Sequence, residues 1–195
     1  MSQFPEATFI TSANSLEQLV ADEGAEVAFA GRSNAGKSSA INTLVNRRQF
    51  ARISKTPGRT QLINFFALAA NKRLVDLPGY GYAKVSASMQ RHWKVLMEEY
   101  FAERRSLTGM FLIVDVRRGI GDFDEQMLQY AEALGIPTHV LLTKADKLKR
   151  GQAAKQFQMT RHALADRASV QLFSSLKKSG ESEGRLQLRQ FLGFD

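Results

Sequence analysis

The chain has 195 residues, 44% hydrophobic and 24% charged, which allows one compact domain with a sizeable core. It has no cysteine, which excludes disulfides, thiolate metal sites and cysteine nucleophiles. No apolar run is long enough to span a bilayer and no basic-then-apolar leader opens the chain, so no membrane contact and a cytoplasmic location are expected. The 27 Lys plus Arg against 19 Asp plus Glu, net +8, point to a polyanionic partner.

Residues 1–24 read as a lead-in, in which Ser15-Leu16-Glu17-Gln18 has the pattern of a capping box opening a short helix. Glu26 to Ala30 is a buried strand by composition, and 37–45 a helix. Between them Gly31-Arg32-Ser33-Asn34-Ala35-Gly36-Lys37-Ser38 fits the pattern G-x-x-x-x-G-K-[ST], with Ser39 following in the helix. The end glycines permit a tight turn whose inward N–H groups, with the start of the helix, hold a polyphosphate. Lys37 is expected to reach the outer phosphates, and the Ser38 hydroxyl to take one corner of a magnesium ion.

The segment 46–60 is polar and basic, broken by Pro57-Gly58, and reads as a long loop. Strands over 61–69 and 72–76, joined by Ala70-Asn71, are close enough for an antiparallel hairpin. After a loop at 77–85, Met89, Trp93, Leu96, Met97 and Tyr100 recur at helical spacing within 86–104, which assigns Trp93 to packing rather than to stacking on bases. Runs 110–114 and 138–142 look like interior parallel strands around a helix at 123–134. A helix at 150–167, a strand at 169–173 and a helix at 182–192 complete the alternation. The expected fold is an α/β three-layer sandwich with a mostly parallel six-stranded sheet and one antiparallel edge strand, residues 25–195 forming a single domain and 1–24 packing on it. The three histidines have no metal-ligand spacing.

Three later stretches would complete a nucleotide site. Asp76-Leu77-Pro78-Gly79 ends the second hairpin strand, where Asp76 can hold magnesium through water and the Gly79 N–H can sense a terminal phosphate. The loop 77–85 then reads as a switch that orders with triphosphate and relaxes with diphosphate. Thr143-Lys144-Ala145-Asp146 follows a strand at the sheet edge where α/β proteins bind ligands. The Asp146 carboxylate can accept from guanine N1–H and the 2-amino group together, while Lys144 lies along the base plane. Phe173-Ser174-Ser175-Leu176 would present backbone N–H groups to the guanine oxygen. Basic clusters at Arg47, Arg48, Arg52, Lys55 and Arg59, at Arg117 and Arg118, at Lys144 to Arg150 and at Lys177 and Lys178 are each readable as a solvated face, and together favour RNA.

The combination of G-R-S-N-A-G-K-S-S from Gly31, T-P-G-R-T-Q-L-I-N-F-F from Thr56, D-L-P-G-Y-G-Y-A from Asp76 and T-K-A-D-K-L from Thr143 closely resembles the bacterial EngB family of Ras-like GTPases, over nearly the whole chain. The resemblance implies a P-loop G domain binding GTP and GDP, with nucleotide contacts extending to Gly58, Arg59, Thr60, Gln61 and Leu62. It implies magnesium ligands at Ser38 and Thr60, and hydrolysis supported by Lys37, Thr60 and Gly79. A role in large ribosomal subunit assembly, with a link to division septum formation, also follows from it. The expected partner is the precursor of that subunit, through rRNA or ribosomal proteins, and the expected state is a monomer.

Two departures from the wider Ras-like pattern carry expectations. Thr143 stands where most such proteins have Asn, which removes an amide tie between base loop and phosphate loop and predicts modest affinity. Tyr80 stands where many have a water-positioning Gln, which predicts slow intrinsic hydrolysis. Asn34 resembles the residue whose carbonyl oxygen helps hold potassium in ion-stimulated GTPases, a role that competes with simple loop shaping. An RNA-binding assembly factor using GTP only as a structural ligand, and an ATPase with a fortuitous T-K-A-D, are the alternatives.

Overall fold

The computed structural model describes residues 4–51, 62–81 and 87–194. In chain order the elements are β1 (Thr8–Ala13), β2 (Ala25–Gly31), α1 (Lys37–Val45), β3 (Ile63–Ala69), β4 (Lys72–Asp76), α2 (Ala87–Glu103), β5 (Leu107–Asp115), α3 (Asp122–Ala133), β6 (Thr138–Thr143), α4 (Arg150–Leu164), β7 (Ser169–Leu172) and α5 (Glu181–Phe191). The sheet order is β1-β3-β4-β2-β5-β6-β7. Neighbours from β4 through β7 pair in parallel, while β3 runs antiparallel to both β4 and β1. The α/β sandwich is as expected, with seven strands in the sheet rather than six.

The seventh strand is β1, drawn from the lead-in. Thr8-Phe9-Ile10-Thr11 is rich in β-branched and aromatic residues, the composition that favours a strand. Its first three residues are exposed at the open edge, so it lacks the buried apolar run that marks β2, β5 and β6. Ser15 to Gln18 forms only a short 3-10 turn, in which the Gln18 side chain accepts from the Asn14 N–H and Ser15 supplies no side-chain cap. Helix α4 stops three residues before the expected end, because Ala165 takes φ 48° and the chain leaves the helix there. The β3–β4 turn forms at Ala70-Asn71, with Asn71 at φ 56°.

Interior strands are apolar on both faces because each face is covered. Val27, Phe29, Leu74, Phe111, Ile113 and Leu141 pack with Ile41 and Leu44 of α1 and Leu188 of α5. Ala28, Ala30, Val75, Leu112, Val114 and Leu142 pack with Met97 and Tyr100 of α2, Met127 of α3 and Leu164 of α4. Alternation along β2 and β5 therefore sends successive side chains into two different cores.

At the end of the sheet opposite the loops described below, Glu26 is fully buried between two guanidinium groups. It accepts from Arg73 Nε at 2.8 Å and from Arg104 Nη2 at 2.6 Å. The same arginines donate to the carbonyls of Val20 and Ala21, at 2.7 and 2.9 Å. One carboxylate thus lets two buried cations hold the lead-in against the sheet. Replacing Glu26 with Ala leaves two buried cations without a counter-charge, and a loss of about 3 kcal/mol in urea unfolding is expected.

Candidate functional site

The carboxyl ends of β2, β4, β5, β6 and β7 lie along one edge of the sheet because these strands are parallel. That edge gathers Gly31–Ser38, Asp76–Gly79, Thr143–Asp146 and Phe173–Ser175, four stretches separated by up to about 140 residues of chain. Gly58, Arg59, Thr60 and Gln61, with Arg52 and Lys55, lie outside the described residues, and Leu62 is the half-buried residue leading into β3.

The phosphate loop is shaped by two glycines for different reasons. A Cβ on Gly31 would stand 2.7 Å from the Ile113 carbonyl oxygen, so only glycine lets β2 lie this close to β5. Gly36 caps α1 at φ 104°, a backbone that side chains disfavour. No side chain caps the amino end of α1, so its first amides remain directed at the loop, the arrangement that suits an anion. Lys37 is ion-paired with Asp76, both side chains largely buried, which puts the ammonium and the carboxylate of two motifs in contact. Ser38 offers a hydroxyl one residue further on, and Asp76 a carboxylate. One hydroxyl and one carboxylate, both hard oxygen donors, fit a magnesium ion that keeps most of its shell as water and phosphate oxygens.

Three backbone groups of the loop are held by other segments. Ser33 N–H donates to the Tyr80 carbonyl at 2.8 Å, and Arg32 and Tyr80 form a parallel bridge. The Asn34 carbonyl accepts from Lys144 Nζ, and the Ala35 carbonyl from the Thr143 hydroxyl. The expected loss of the base-loop tie at Thr143 is therefore corrected. Its hydroxyl lies within reach of both Ala35 and Val114 carbonyls, at 2.5 and 3.1 Å, and makes the link that an amide would. With its backbone oxygen taken by Lys144, Asn34 has only its exposed side-chain carbonyl to offer a monovalent ion.

Lys144 is itself steered by Asp115, an acidic residue that motif reading passed over. Asp115 Oδ2 lies 3.0 Å from Lys144 Nζ, and the carboxylate is gripped by Arg117 at 2.6 and 2.9 Å. Burial works to raise this carboxyl group, but the hydrogen bonds from Arg117 and Lys144 outweigh it and hold the group well below the usual carboxylate range. The pairing also removes Arg117 from the list of free surface cations. Arg47 is engaged as well, donating to the Ala7 carbonyl, whereas Arg48 is exposed.

The base loop is positioned from β7. Ala145 N–H donates to the Phe173 carbonyl at 3.1 Å, and the Ser174 hydroxyl donates to Asp146 Oδ1 at 2.5 Å. The Asp146 side chain is only 7% exposed, with Lys147 Nζ 3.8 Å from its other oxygen. The N–H groups of Phe173 and Ser174 are already spent on Leu142 and Ser179 carbonyls, so neither can serve a base oxygen. That corrects the expected part of these two residues and leaves the Ser175 amide as the donor on this stretch. The signal for Ser174 was a serine one residue past the last strand, and its hydroxyl, not its amide, does the work.

Tyr80 turns away from the loop. Its ring is buried against Trp93 and Phe123, and its hydroxyl donates to Asp124 Oδ1 at 2.6 Å. Burial pushes the Tyr80 hydroxyl well up, and the adjacent Asp124 carboxyl adds to this, so the group stays protonated as a donor.

Ser174→Ala removes the hydrogen bond that orients Asp146, and Thr143→Val removes the tie to Ala35. A hydrogen bond to a charged group contributes about 1.5–3 kcal/mol, so Ser174→Ala is expected to weaken binding of guanosine diphosphate by at least about tenfold in isothermal titration. Thr143→Val, which loses a neutral bond, is expected to weaken it by less than about tenfold.

Comparison with known proteins agrees with this geometry. The sequence model of the family MMR_HSR1, described as 50S ribosome-binding GTPase, matches residues 26–144. The chain is 49% identical over 193 residues to the "Probable GTP-binding protein EngB" of Stenotrophomonas maltophilia (strain K279a), covering 97% of this chain and 96% of the relative. It is 47% identical over 191 residues to the protein of the same name from Xylella fastidiosa (strain 9a5c), covering 96% and 94%. Among solved structures, the crystal structure of a probable GTP-binding protein engB shares the fold, with TM-score 0.70 at 23% identity over 87% of this chain and 99% of that one. With a phosphate loop and the buried Asp146 carboxylate gathered on one sheet edge, and with these relatives, the chain belongs to the EngB family of GTP-binding proteins and is a GTPase.

Proposed function

We propose that this GTPase works as a slow switch in assembly of the large ribosomal subunit, in the cytoplasm and as a monomer, with the family's link to septum formation. The family description as 50S ribosome-binding carries this reading. Charge supports it: Lys147, Lys149, Arg150, Lys177 and Lys178 are all exposed, and the loops bearing them are joined through Ala145–Phe173 and Asp146–Ser174. Such a basic rim suits the phosphates of rRNA in a subunit precursor.

In hydrolysis the attacking group is water, and no side-chain nucleophile is required. The amides of Asn34 and of residues 36–38 hold the phosphates, since those of Ser33 and Ala35 donate to the Tyr80 and Arg32 carbonyls, and Lys37 exchanges its contact with Asp76 for the outer phosphate oxygens. Ser38 and Asp76, with Thr60 by the family resemblance, would hold a magnesium ion, which would supply charge neutralisation at the transferring phosphoryl group. The Gly79 N–H contacts the third phosphate and so distinguishes GTP from GDP. Tyr80 cannot orient water while its hydroxyl serves Asp124, which accounts for a low intrinsic rate.

A switch must bind its particle differently in its two states. Affinity for immature large subunits is expected to be higher with a non-hydrolysable GTP analogue than with GDP, and to fall linearly in log affinity against log salt. Equal affinity in both states would leave an RNA-binding factor with a structural ligand. The Asn34 side-chain carbonyl is offered to potassium, so hydrolysis is expected to run faster in potassium than in sodium buffer; equal rates would assign Asn34 to loop shape alone.

A further inference from the structure

Tyr80 is bound at both ends. Its backbone carbonyl accepts from Ser33 N–H in the phosphate loop at 2.8 Å, and its hydroxyl donates to Asp124 at the amino end of α3 at 2.6 Å. Asp124 is itself fixed, since its second oxygen accepts from Gly121 N–H at 2.9 Å. The tyrosine ring is closed in by Trp93 of α2, with centroids 5.6 Å apart, and by Phe123 of α3 at 5.8 Å. Gly79 sits directly before this doubly held residue and against Ser33. A cleft of about 50 Å³ between the phosphate loop and the 115–121 turn has both Ser33 and Asp124 in its wall.

We propose that Asp124 is a positioning residue of the GTPase site, acting through Tyr80 to hold the Gly79 amide at the place of the third phosphate. Both Asp124 carboxylate oxygens are engaged within the protein, one by the Tyr80 hydroxyl and one by the Gly121 N–H. It holds the tyrosine hydroxyl in the α2–α3 pocket, and the tyrosine backbone in turn sets the peptide that precedes it. The proposal rests on the assignment of the Gly79 N–H to the third phosphate. Because GDP lacks that phosphate, breaking the latch affects GTP selectively: diphosphate affinity depends on the amides of residues 36–38 and on Asp146, whereas Tyr80 meets the loop upstream of them, at the Ser33 N–H.

The test uses the full chain with magnesium, the single variants Tyr80→Phe, Asp124→Ala, Asp124→Asn and Gly79→Pro, the last of which removes the amide N–H, and the double variant of Tyr80→Phe with Asp124→Ala. Thermal melting confirms folding, titration gives affinity for GDP and for a non-hydrolysable GTP analogue, and single-turnover hydrolysis at saturating GTP gives the rate. Tyr80→Phe and Asp124→Ala are each expected to lower the rate about tenfold, the fold-change that corresponds to the lower end of a hydrogen bond to a charged acceptor, with GDP affinity changed less than twofold. The double variant is expected to lose no more than either single one, since both remove the same bond. In Asp124→Asn the amide oxygen keeps the Gly121 N–H and the amide NH2 donates to the tyrosine oxygen, so the hydroxyl stays held and most of the rate is recovered. Trp93, the sole tryptophan, lies against the Tyr80 ring, and its emission is expected to shift in Tyr80→Phe and Asp124→Ala but not in Asp124→Asn.

Folded Tyr80→Phe with unchanged hydrolysis and emission, while Gly79→Pro loses activity, overturns the latch and leaves Gly79 in its place. Unchanged hydrolysis in Gly79→Pro, which has no N–H to offer, overturns the assignment on which the latch depends. Equal losses of GDP and GTP affinity in the latch variants also overturn the proposal, since that pattern belongs to a purely structural contact.

Discussion

Three carbonyl or amide groups of the phosphate loop, on Ser33, Asn34 and Ala35, are each claimed by a different part of the chain, and the site depends on those claims. A loop built around glycines is free to take many shapes, which is also its cost. Tyr80, Lys144 and Thr143 remove that freedom before any ligand arrives, so binding energy is not spent on ordering the loop. The ties come from strands that neighbour β2 in the sheet or lie one strand further, and parallel pairing brings their ends level with the loop.

Charge is handled by pairing at every depth. Glu26 neutralises two buried arginines at one end of the sheet, and Asp115 joins Arg117 and Lys144 at the other. The first arrangement has no ligand nearby and serves the fold, fastening the lead-in. The second reaches into the Thr143–Asp146 loop itself and fixes where the Lys144 stem runs. Internal partners thus separate the basic residues into two groups. Among the described residues, Lys37, Arg47, Arg73, Arg104, Arg117, Lys144, Arg167 and Arg185 are engaged internally, while Lys149, Arg150, Lys177 and Lys178 are exposed near the base loop and suited to a polyanion.

Much of the architecture was legible in the chain, for reasons that are local. The apolar runs of β2, β5 and β6 are long and two-sided, and the glycine-lysine-serine pattern between β2 and α1 has a direct meaning in backbone geometry. The edge strand β1 was not legible, since half of its side chains face outward and its partner β3 lies some 50 residues away. Nothing local distinguishes Thr8-Phe9-Ile10-Thr11 from an extended lead-in until another strand supplies the hydrogen bonds. The end of α4 was missed for a similar reason: apart from the positive φ of Ala165, the residues there are compatible with continued helix.

By itself, the sequence determined the chemistry on offer: amides around two glycines, an ammonium, a hydroxyl, and carboxylates at 76 and 146, in an order that one fold type brings together. Tertiary structure alone decided how those groups are aimed. Whether Thr143 replaces a lost amide, whether Ser174 uses its hydroxyl or its N–H, and whether Tyr80 faces the phosphates or Asp124 all depend on residues 28 to 108 positions away. A hydrogen bond requires its two atoms to meet within about 3 Å, and residue type states only what an atom can donate or accept. Which partner stands within that distance is settled by strand order and helix placement.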